Sequence, residues 1–273
     1  MRGLKLIGGL VSLLLISSHS MAAGTNAGTT ISNQASLTYD AGAGTVSTTS
    51  NTVTITVDEL IRGTILSQDA GKQIAVSPGD TDSVLRFQLT NTGNGSEVFQ
   101  ITPANLTGDE FDTGAFTVYM DATGNGNVGT FDKATDTLLA GNLTPSIAED
   151  ESITLWVVTD IPATPTDGDK ADVQVTARSN TFVTDGNNNP NSGDTVTGAG
   201  DGSTNAVYGA AGIIADNAAF VVSAIQVSLA KAVTQVRDNL GQGGSQPVPG
   251  AEVDYSLTVT VTGSGDANSV VVS

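Results

Sequence analysis

Short segments in which apolar and polar residues alternate recur along almost the whole chain, and clusters of glycine, asparagine, proline and aspartate separate them. A period of two places successive side chains on opposite faces of a β-strand, and turn clusters at this spacing are typical of an antiparallel sandwich or barrel. The alternating segments are residues 31–39, 53–57, 64–66, 74–76, 83–90, 98–102, 116–120, 152–159 and 171–177. Residues 209–240 contain many alanines, but the alternation of Ile225, Val227 and Leu229 favours strands there as well. The sequence therefore predicts an all-β protein.

The first residues have the three parts of an export signal. Arg2 and Lys5 form a basic start, an apolar stretch runs from Leu6 to Ile16, and Ser20-Met21-Ala22 offers small residues for cleavage. The apolar stretch is too short to span a bilayer comfortably. We expect cleavage after Ala22, with an uncleaved anchor helix as the alternative. The expected location is secreted or at a bacterial cell surface.

Acidic side chains dominate the charge of the protein. The 273 residues include 28 acidic and 10 basic ones, which gives a formal net charge of −18. Such a surface repels nucleic acid and anionic lipid and attracts divalent cations. Aspartate, the acid of turns and calcium loops, accounts for 22 of the acids. We expect no nucleic-acid partner and, once the signal is removed, no membrane span.

Two residue types that carry much of enzyme chemistry are missing from the predicted mature chain. The sequence has no cysteine, and its one histidine, His19, lies in the signal. This excludes Ser-His-Asp and Cys-His catalysis, ordinary zinc and copper sites, and disulfides. Two carboxylates suffice for glycoside hydrolysis, but the acids at residues 109–112 and 149–151 lie in turns. Trp156 lies in an apolar run, which favours a core position. We expect no enzyme, no catalytic residue and no organic cofactor.

One segment of the chain occurs twice. PGDTDSVLRFQLTNTGNG at residues 78–95 corresponds to PGAEVDYSLTVTVTGSG at residues 249–265. Each copy begins with Pro-Gly, continues as an alternating strand and ends in Thr-Gly-polar-Gly. The pattern predicts one strand–turn–strand unit used twice, with glycine where the turn backbone must be left-handed. Convergence of two unrelated hairpins is the alternative.

The second copy resembles the immunoglobulin-like repeat of bacterial surface proteins known as domain of unknown function eleven. The resemblance covers about residues 229–273, through Leu229-Ala-Lys231, Pro249-Gly250, and Gly263-Ser-Gly265 before a valine run. It implies immunoglobulin-like sandwiches in a large secreted or envelope protein. The family repeat continues for several strands past the valine run. Either this chain is a fragment of a longer protein, or a neighbouring molecule supplies the missing strands.

These features together predict the organisation of the chain. The fold class is all-β, with antiparallel immunoglobulin-like β-sandwich domains, the C-terminal one incomplete. Residues 1–22 are the signal peptide, and residues 23–222 form an N-terminal sandwich region with a long polar loop near 184–206. Residues 223–273 begin a second immunoglobulin-like repeat.

The stretch YMDATGNGNVGTFDKATDT, residues 119–137, fits the twelve-position calcium loop. Gly126 takes the sharp-turn position six. The predicted calcium ligands are Asp121, Thr123, Asn125, Asn127 through its carbonyl, Asp132 and, as an outer ligand, Asp136. A plain turn whose aspartates cap backbone amides is the alternative. A second stretch with alternating oxygen donors, residues 185–189, is interpreted as a loop.

The expected function is that of a structural or adhesive protein of a bacterial surface, with calcium as a stiffening ion. A fibre subunit assembled by strand donation is one alternative, and a carbohydrate-binding module or glycan-active enzyme component is the other. The expected partners are other surface proteins, copies of the same chain, or glycans.

Overall fold

The computed structural model describes residues 24–40, 44–122, 129–209, 213–238, 245–264 and 271. The predicted export signal lies outside this part of the chain. In the described ranges no helix is long and apolar enough to cross a membrane. The strands are β1 (Thr30–Asn33), β2 (Ser36–Asp40), β3 (Thr45–Thr49), β4 (Val53–Thr56), β5 (Glu59–Ile61), β6 (Gly63–Ser67), β7 (Gln73–Val76), β8 (Ser83–Asn91), β9 (Phe99–Asn105), β10 (Thr117–Met120), β11 (Thr137–Leu138), β12 (Ser152–Thr159), β13 (Lys170–Ser179), β14 (Thr195–Gly200), β15 (Thr204–Tyr208), β16 (Ile214–Val222), β17 (Ile225–Arg237) and β18 (Glu252–Gly263). One short helix, α1 (Asn180–Thr184), and the 3₁₀ turns Ala70–Lys72, Ala140–Asn142 and Asp201–Ser203 complete the described elements.

The chain from β6 to β16 forms a sandwich of two sheets that pack face to face. The first has the strand order β11–β10–β12–β8–β6, and the second has the order β7–β16–β13–β9. With β6 and β7 taken as strand A, and β8, β9, β10, β12, β13 and β16 as B to G, the sheets read A-B-E-D and C-F-G. This is the strand order of a constant-type immunoglobulin sandwich. The predicted all-β, immunoglobulin-like fold is confirmed, and its pairs are antiparallel except for β7 with β16 and β5 with β15.

The core lies between the inward faces of these two sheets. Alternation along β8 directs Leu85, Phe87 and Leu89 inward, where they are fully buried. From the opposite sheet, Val173 and Val175 of β13 belong to the same core cluster. Removing a Leu, Val or Phe side chain from water stabilises a fold by roughly 1.5–3 kcal/mol. The sandwich therefore has a continuous apolar core that does not depend on disulfides.

The polar segment near residues 184–206 is an insertion between β13 and β16 that contains strands of its own. β14 pairs with β15, and β15 pairs with β5. Ile61, Phe182, Ala206 and Tyr208 form a small separate core there, in which the rings of Phe182 and Tyr208 lie 5.3 Å apart between centroids. A few apolar residues are thus enough to order a segment that the sequence marks as turn-forming throughout.

Two hairpins extend from opposite ends of the sandwich. The first, here called the N-arm (residues 30–56), pairs β1 with β4 and β2 with β3. It joins the sandwich at the end where β8 finishes, because Ala27 N donates to Asn94 O at 2.9 Å and Gly63 pairs with Asn91.

The second hairpin, here called the C-ribbon, consists of β17 and β18. It joins the sandwich at the end where β8 begins. Asp167 holds it there, since its Oδ1 accepts from Ala224 N at 2.9 Å and from Ser264 N at 3.1 Å. The hydrogen bond from the Ser264 hydroxyl, followed by those two amides, lowers the pKa of this exposed carboxyl. The connections to the sandwich are therefore at its two ends.

The two copies of the repeated segment share the left-handed turn and the strand that follows it. Gly79 has a φ of 84° and Gly250 a φ of 89°, so both Pro-Gly turns use the left-handed backbone that the sequence predicts. A long strand follows each turn. β18 pairs antiparallel with β17, the strand before its turn, whereas β8 pairs antiparallel with β6, because the strand before its turn, β7, pairs with β16 in the other sheet. Gly93 and Gly263 end these strands where a Cβ would collide with the carbonyl oxygens of Leu60 and Ala224.

Candidate cation site on the outer face of the sandwich

The aspartate-rich loop lies over the outer face of the first sheet. Val118 of β10 points into the core, and Tyr119 therefore points outward. Phe131 of the loop packs on that outer face, with its ring centroid 5.3 Å from the ring of Tyr119 and 6.2 Å from the ring of Trp156. The part of the loop that the structure describes is thus held on the sheet by an aromatic contact.

Trp156 is buried, as its place in an apolar run predicts. Its neighbours Leu155 and Val157 take the inward positions of β12, so Trp156 belongs to the outer cluster. Phe131 covers it, and the guanidinium of Arg86 lies 5.6 Å from the ring centroid. The predicted core position is therefore confirmed, in a smaller cluster on the outer face of the sheet. With 4% of its surface exposed, the ring offers no platform for a sugar.

Asp121, the predicted first calcium ligand, is buried at the start of the loop. It directly follows β10 and is 7% exposed. Its Oδ2 accepts a hydrogen bond from Gly129 N at 2.8 Å, which draws the two sides of the loop together. Its Oδ1 is buried without a hydrogen-bond partner. A buried carboxylate oxygen left unpaired is costly, and a bound cation would remove that cost.

Asp136 closes the loop through backbone amides. Its Oδ1 accepts from Ala122 N at 3.1 Å and its Oδ2 from Asp132 N at 2.8 Å, so one buried carboxylate joins the beginning and the end of the loop. Asp132 caps the turn that follows, with Oδ1 accepting from Ala134 N at 3.0 Å. These contacts are those of the turn-capping alternative, whereas calcium binding by the loop stays a prediction.

The structure places some of the predicted ligands and leaves others outside its described ranges. Asp121, Asp132 and Asp136 are described and belong to one loop, whereas Thr123, Asn125 and Asn127 lie in the segment 123–128, outside the described residues. No cluster of three acidic side chains with metal-binding geometry occurs among the described residues. A cavity of about 340 Å³ borders Asp121 and also Glu151. The described residues can thus supply an anionic oxygen to a hard cation, with the remaining ligands expected from the segment 123–128.

The other acid-rich turns bind the backbone. Asp109 Oδ2 accepts from Asp172 N, Glu110 Oε2 accepts from Lys170 N at 3.1 Å, and Glu151 Oε2 accepts from Ala148 N at 3.0 Å. In residues 185–189, Asn187 Oδ1 accepts from Asn189 N at 3.2 Å and its amide donates to Asp194. These side chains stabilise turns and strand ends, as the loop interpretation of residues 185–189 predicts.

Two buried glutamates are absent from the sequence-based set of sites. Glu59 is 3% exposed, and burial, together with the nearby Glu97 and Asp201, raises its pKa to about 7, although Asp201 N donates to its Oε2 at 2.9 Å. Burial also raises the pKa of Glu97, which accepts hydrogen bonds from the hydroxyls of Ser179 and Thr181. The alternation Glu59-Leu60-Ile61 carries the missed signal, because Glu59 shares a strand face with the buried Ile61.

Comparisons with known proteins give only loose likenesses. No protein-family model and no curated protein matches the sequence. Among solved structures, a family 123 glycoside hydrolase from Clostridium perfringens aligns at 8% identity and a TM-score of 0.32, over 59% of this chain and 27% of the hydrolase. A PapD-like domain of human CEP192 aligns at 9% identity and a TM-score of 0.24, over 58% of this chain and 84% of that domain. The fold assignment therefore comes from the strand order itself.

Proposed function

We propose that this protein is an exported structural or adhesive element of a bacterial surface, built of immunoglobulin-like units in a row. The observation that carries this proposal is that the N-arm and the C-ribbon join the sandwich at opposite ends. A unit connected in this way separates its two neighbours by its own length. The repeated strand unit in the C-ribbon, and its resemblance to the bacterial surface repeat, support a second unit following the first.

The chemistry of the described side chains supports a structural role over an enzymatic one. The chain after residue 22 has no histidine or cysteine. The acidic turns that could supply a pair of carboxylates bind backbone amides, and the one tryptophan is buried. Affinity for other surface proteins, for copies of the chain or for glycans would then come from exposed faces of the units.

The location is tested by fractionating cells that produce the full chain. We expect the protein in the external or envelope fraction, degraded by protease added to intact cells, with an N-terminus at Ala23. Protein that retains residues 1–22 and stays in the cytoplasm would overturn the proposal. Binding on a glycan array, abolished by a change in one acidic turn, would favour the carbohydrate-binding alternative.

We also propose that calcium stiffens the loop from Asp121 to Asp136. The unpaired, buried Oδ1 of Asp121 supports this site, because calcium prefers carboxylate and carbonyl oxygens. With Asp121 and Asp132 as the two charged ligands, affinity should be modest. A ligand that binds only the folded state stabilises it by about 2.7 kcal/mol at a hundredfold excess over its Kd.

Calorimetric titration with calcium and thermal unfolding with calcium or a chelator test this site. We expect binding and a higher Tm in the wild type, and loss of both in Asp121→Asn, whose side-chain oxygen can still accept from Gly129. Asp112→Asn, a change at an exposed acid, is the matched control and should behave as the wild type. An identical Tm with calcium and with chelator would leave the plain turn as the correct reading.

A further inference from the structure

The C-ribbon exposes a face that is apolar except for Lys231, which lies opposite Leu257. Cross-strand pairs place Val227 opposite Val261, Leu229 opposite Val259 and Val233 opposite Tyr255 on one side. The other side carries Ser228 and Ala230 opposite Thr260 and Thr258. Tyr255 is 56% exposed and Leu257 is 53% exposed. A two-stranded ribbon that leaves such a face in water is only marginally stable by itself.

The first copy of the repeat indicates what kind of surface fits this face. Aligned on their terminal glycines, Gly93 and Gly263, the two copies place Leu85, Phe87 and Leu89 at the positions of Tyr255, Leu257 and Val259. In the sandwich these side chains are fully buried against the apolar face of the second sheet. The C-ribbon therefore fits another apolar β-sheet face.

The N-arm of the same chain has a bare apolar face of this kind. Ile31 pairs with Ile55, and Val53 follows on the same side, where all three side chains are exposed. They line a groove of about 530 Å³ together with Ala35 and neighbouring polar residues. The groove is concave and apolar, whereas the C-ribbon presents a row of aliphatic side chains.

We propose that the C-ribbon of one copy packs its apolar face onto the N-arm of a second copy. The two hairpins leave opposite ends of the sandwich, so a contact between them joins copies head to tail. Because the two surfaces differ, a joined pair of copies keeps one free surface of each kind, and the contact generates an open chain. This inference concerns contact between copies and holds wherever the protein is located.

The charges favour this pair of surfaces over the rest of the molecule. A chain of net charge −18 repels its copies over most of its surface. Between residues 24 and 57 the one charged residue is Asp40. In the C-ribbon Arg237 pairs with Glu252 and Asp254, while Lys231 lies over the ring of Tyr255, 4.3 Å from its centroid. A cation on the C-ribbon thus meets an arm whose single charge is negative.

The lengths of the hairpins match and set the strength of the contact. Strands rise about 3.3 Å per residue, so β17 is roughly 43 Å long, and residues 30–40 of the N-arm, which contain β1 and β2, span at most roughly 36 Å. Two faces of that length and about 10 Å width bury on the order of 700 Å² in total, the size of a weak association. Assembly should therefore depend strongly on protein concentration.

Analytical ultracentrifugation of the full chain over a wide concentration range is the test, with Ile55→Asp on the N-arm and Leu257→Asp on the C-ribbon. We expect the wild type to form growing oligomers and each variant alone to remain monomeric. A mixture of the two variants should form dimers and stop there, because each supplies the one surface that the other has lost. Thr54→Asp and Thr258→Asp, on the opposite strand faces, are matched controls that should assemble as the wild type does.

The other outcomes overturn the proposal. A wild type that stays monomeric at the highest concentration contradicts it, and so does Ile55→Asp protein that dimerises by itself, which would show two C-ribbons packed on each other.

Cysteine cross-linking replaces any aspartate variant whose urea midpoint differs from that of the wild type, because such a variant has an altered fold. The chain has no cysteine, so Val53→Cys and Leu229→Cys should form a mixed disulfide in preference to either homodimer. Equal yields of all three products would contradict the head-to-tail contact.

Discussion

Strands β8 and β18 come from the two copies of one repeated segment, yet their surroundings are opposite. Each follows a Pro-Gly turn with left-handed glycine and pairs antiparallel with an earlier strand of the chain, β8 with β6 and β18 with β17. The inward residues of β8 are fully buried between two sheets, whereas the equivalent residues of β18 are largely exposed. The comparison separates what a segment specifies locally from what its neighbours supply.

The local sequence specifies the turn and which side chains of the following strand share a face. It does not specify what covers that face. For β8 the cover comes from β9 and from β13 and β16, and the last two follow it by tens of residues in the chain. For β18 the described residues supply no second sheet, and we infer that a second copy does. The free energy gained from the same alternation therefore depends on a distant surface.

The largest expected effect comes from truncating equivalent side chains in the two copies. Phe87→Ala should lower the free energy of unfolding by roughly 3–5 kcal/mol, because it leaves a cavity between the sheets. Leu257→Ala should change it by less than about 0.5 kcal/mol in dilute protein, because that side chain is already exposed. Urea unfolding measures both. Equal losses would mean that the C-ribbon face is covered in the monomer.

The second prediction concerns pH and extends the comparison to buried and exposed acids. The pKa of Glu59 rises from 4.5 to about 7 in the folded state, so the fold retains a proton that the unfolded chain releases. Stability should therefore fall as pH rises from about 4.5 to 7 and stay low above that, by up to about 3 kcal/mol.

Glu59→Gln should remove this loss, which makes the variant more stable than the wild type at pH 8 and similar to it near pH 4.5. Glu252→Gln, at an exposed glutamate of the C-ribbon, is the control and should leave the pH profile of urea unfolding unchanged. The same pH profile in Glu59→Gln and the wild type would show that the buried carboxyl does not titrate in this range.

The smallest expected effect tests the shared turn. Gly79→Ala forces an L-residue into a left-handed backbone and should cost about 1 kcal/mol of global stability. Gly250→Ala meets the same strain, but it should leave the global urea midpoint unchanged and only accelerate amide exchange in β17 and β18. A shift of the global midpoint by Gly250→Ala would show that the C-ribbon and the sandwich unfold together.

Much of the fold follows from the sequence by elementary rules. Alternation in residues 83–90 and 152–159 locates β8 and β12, and the Pro-Gly pairs locate two turns. The order of strands in the sheets does not follow from these rules, because it depends on contacts between distant segments. The hairpin of β14 and β15 escapes prediction for the same reason: Ala206 and Tyr208 gain their core only when β5 arrives beside them.

The candidate cation site also has one part that the sequence predicts and another part that depends on the fold. Residue types and spacing place Asp121 and Asp132 in one loop, since ligands close in sequence need no fold to bring them together. The double amide contact of Asp136 and the cover that Phe131 gives to Trp156 depend on the loop lying back on the sheet. The high pKa of Glu59 likewise requires the insertion that buries it, and its residue type alone does not reveal that.

The attachment of the two hairpins at opposite ends has a mechanical consequence. Tension on the molecule enters through β6 and leaves through β16, so it acts along the strands of the pairs β6 with β8 and β7 with β16. Hydrogen bonds that lie across the direction of pull share the load and must rupture together, whereas bonds peeled from one end break singly. A single sandwich stretched between its ends should therefore resist force as one block, and a low, stepwise unravelling in a force spectrometer would contradict this geometry.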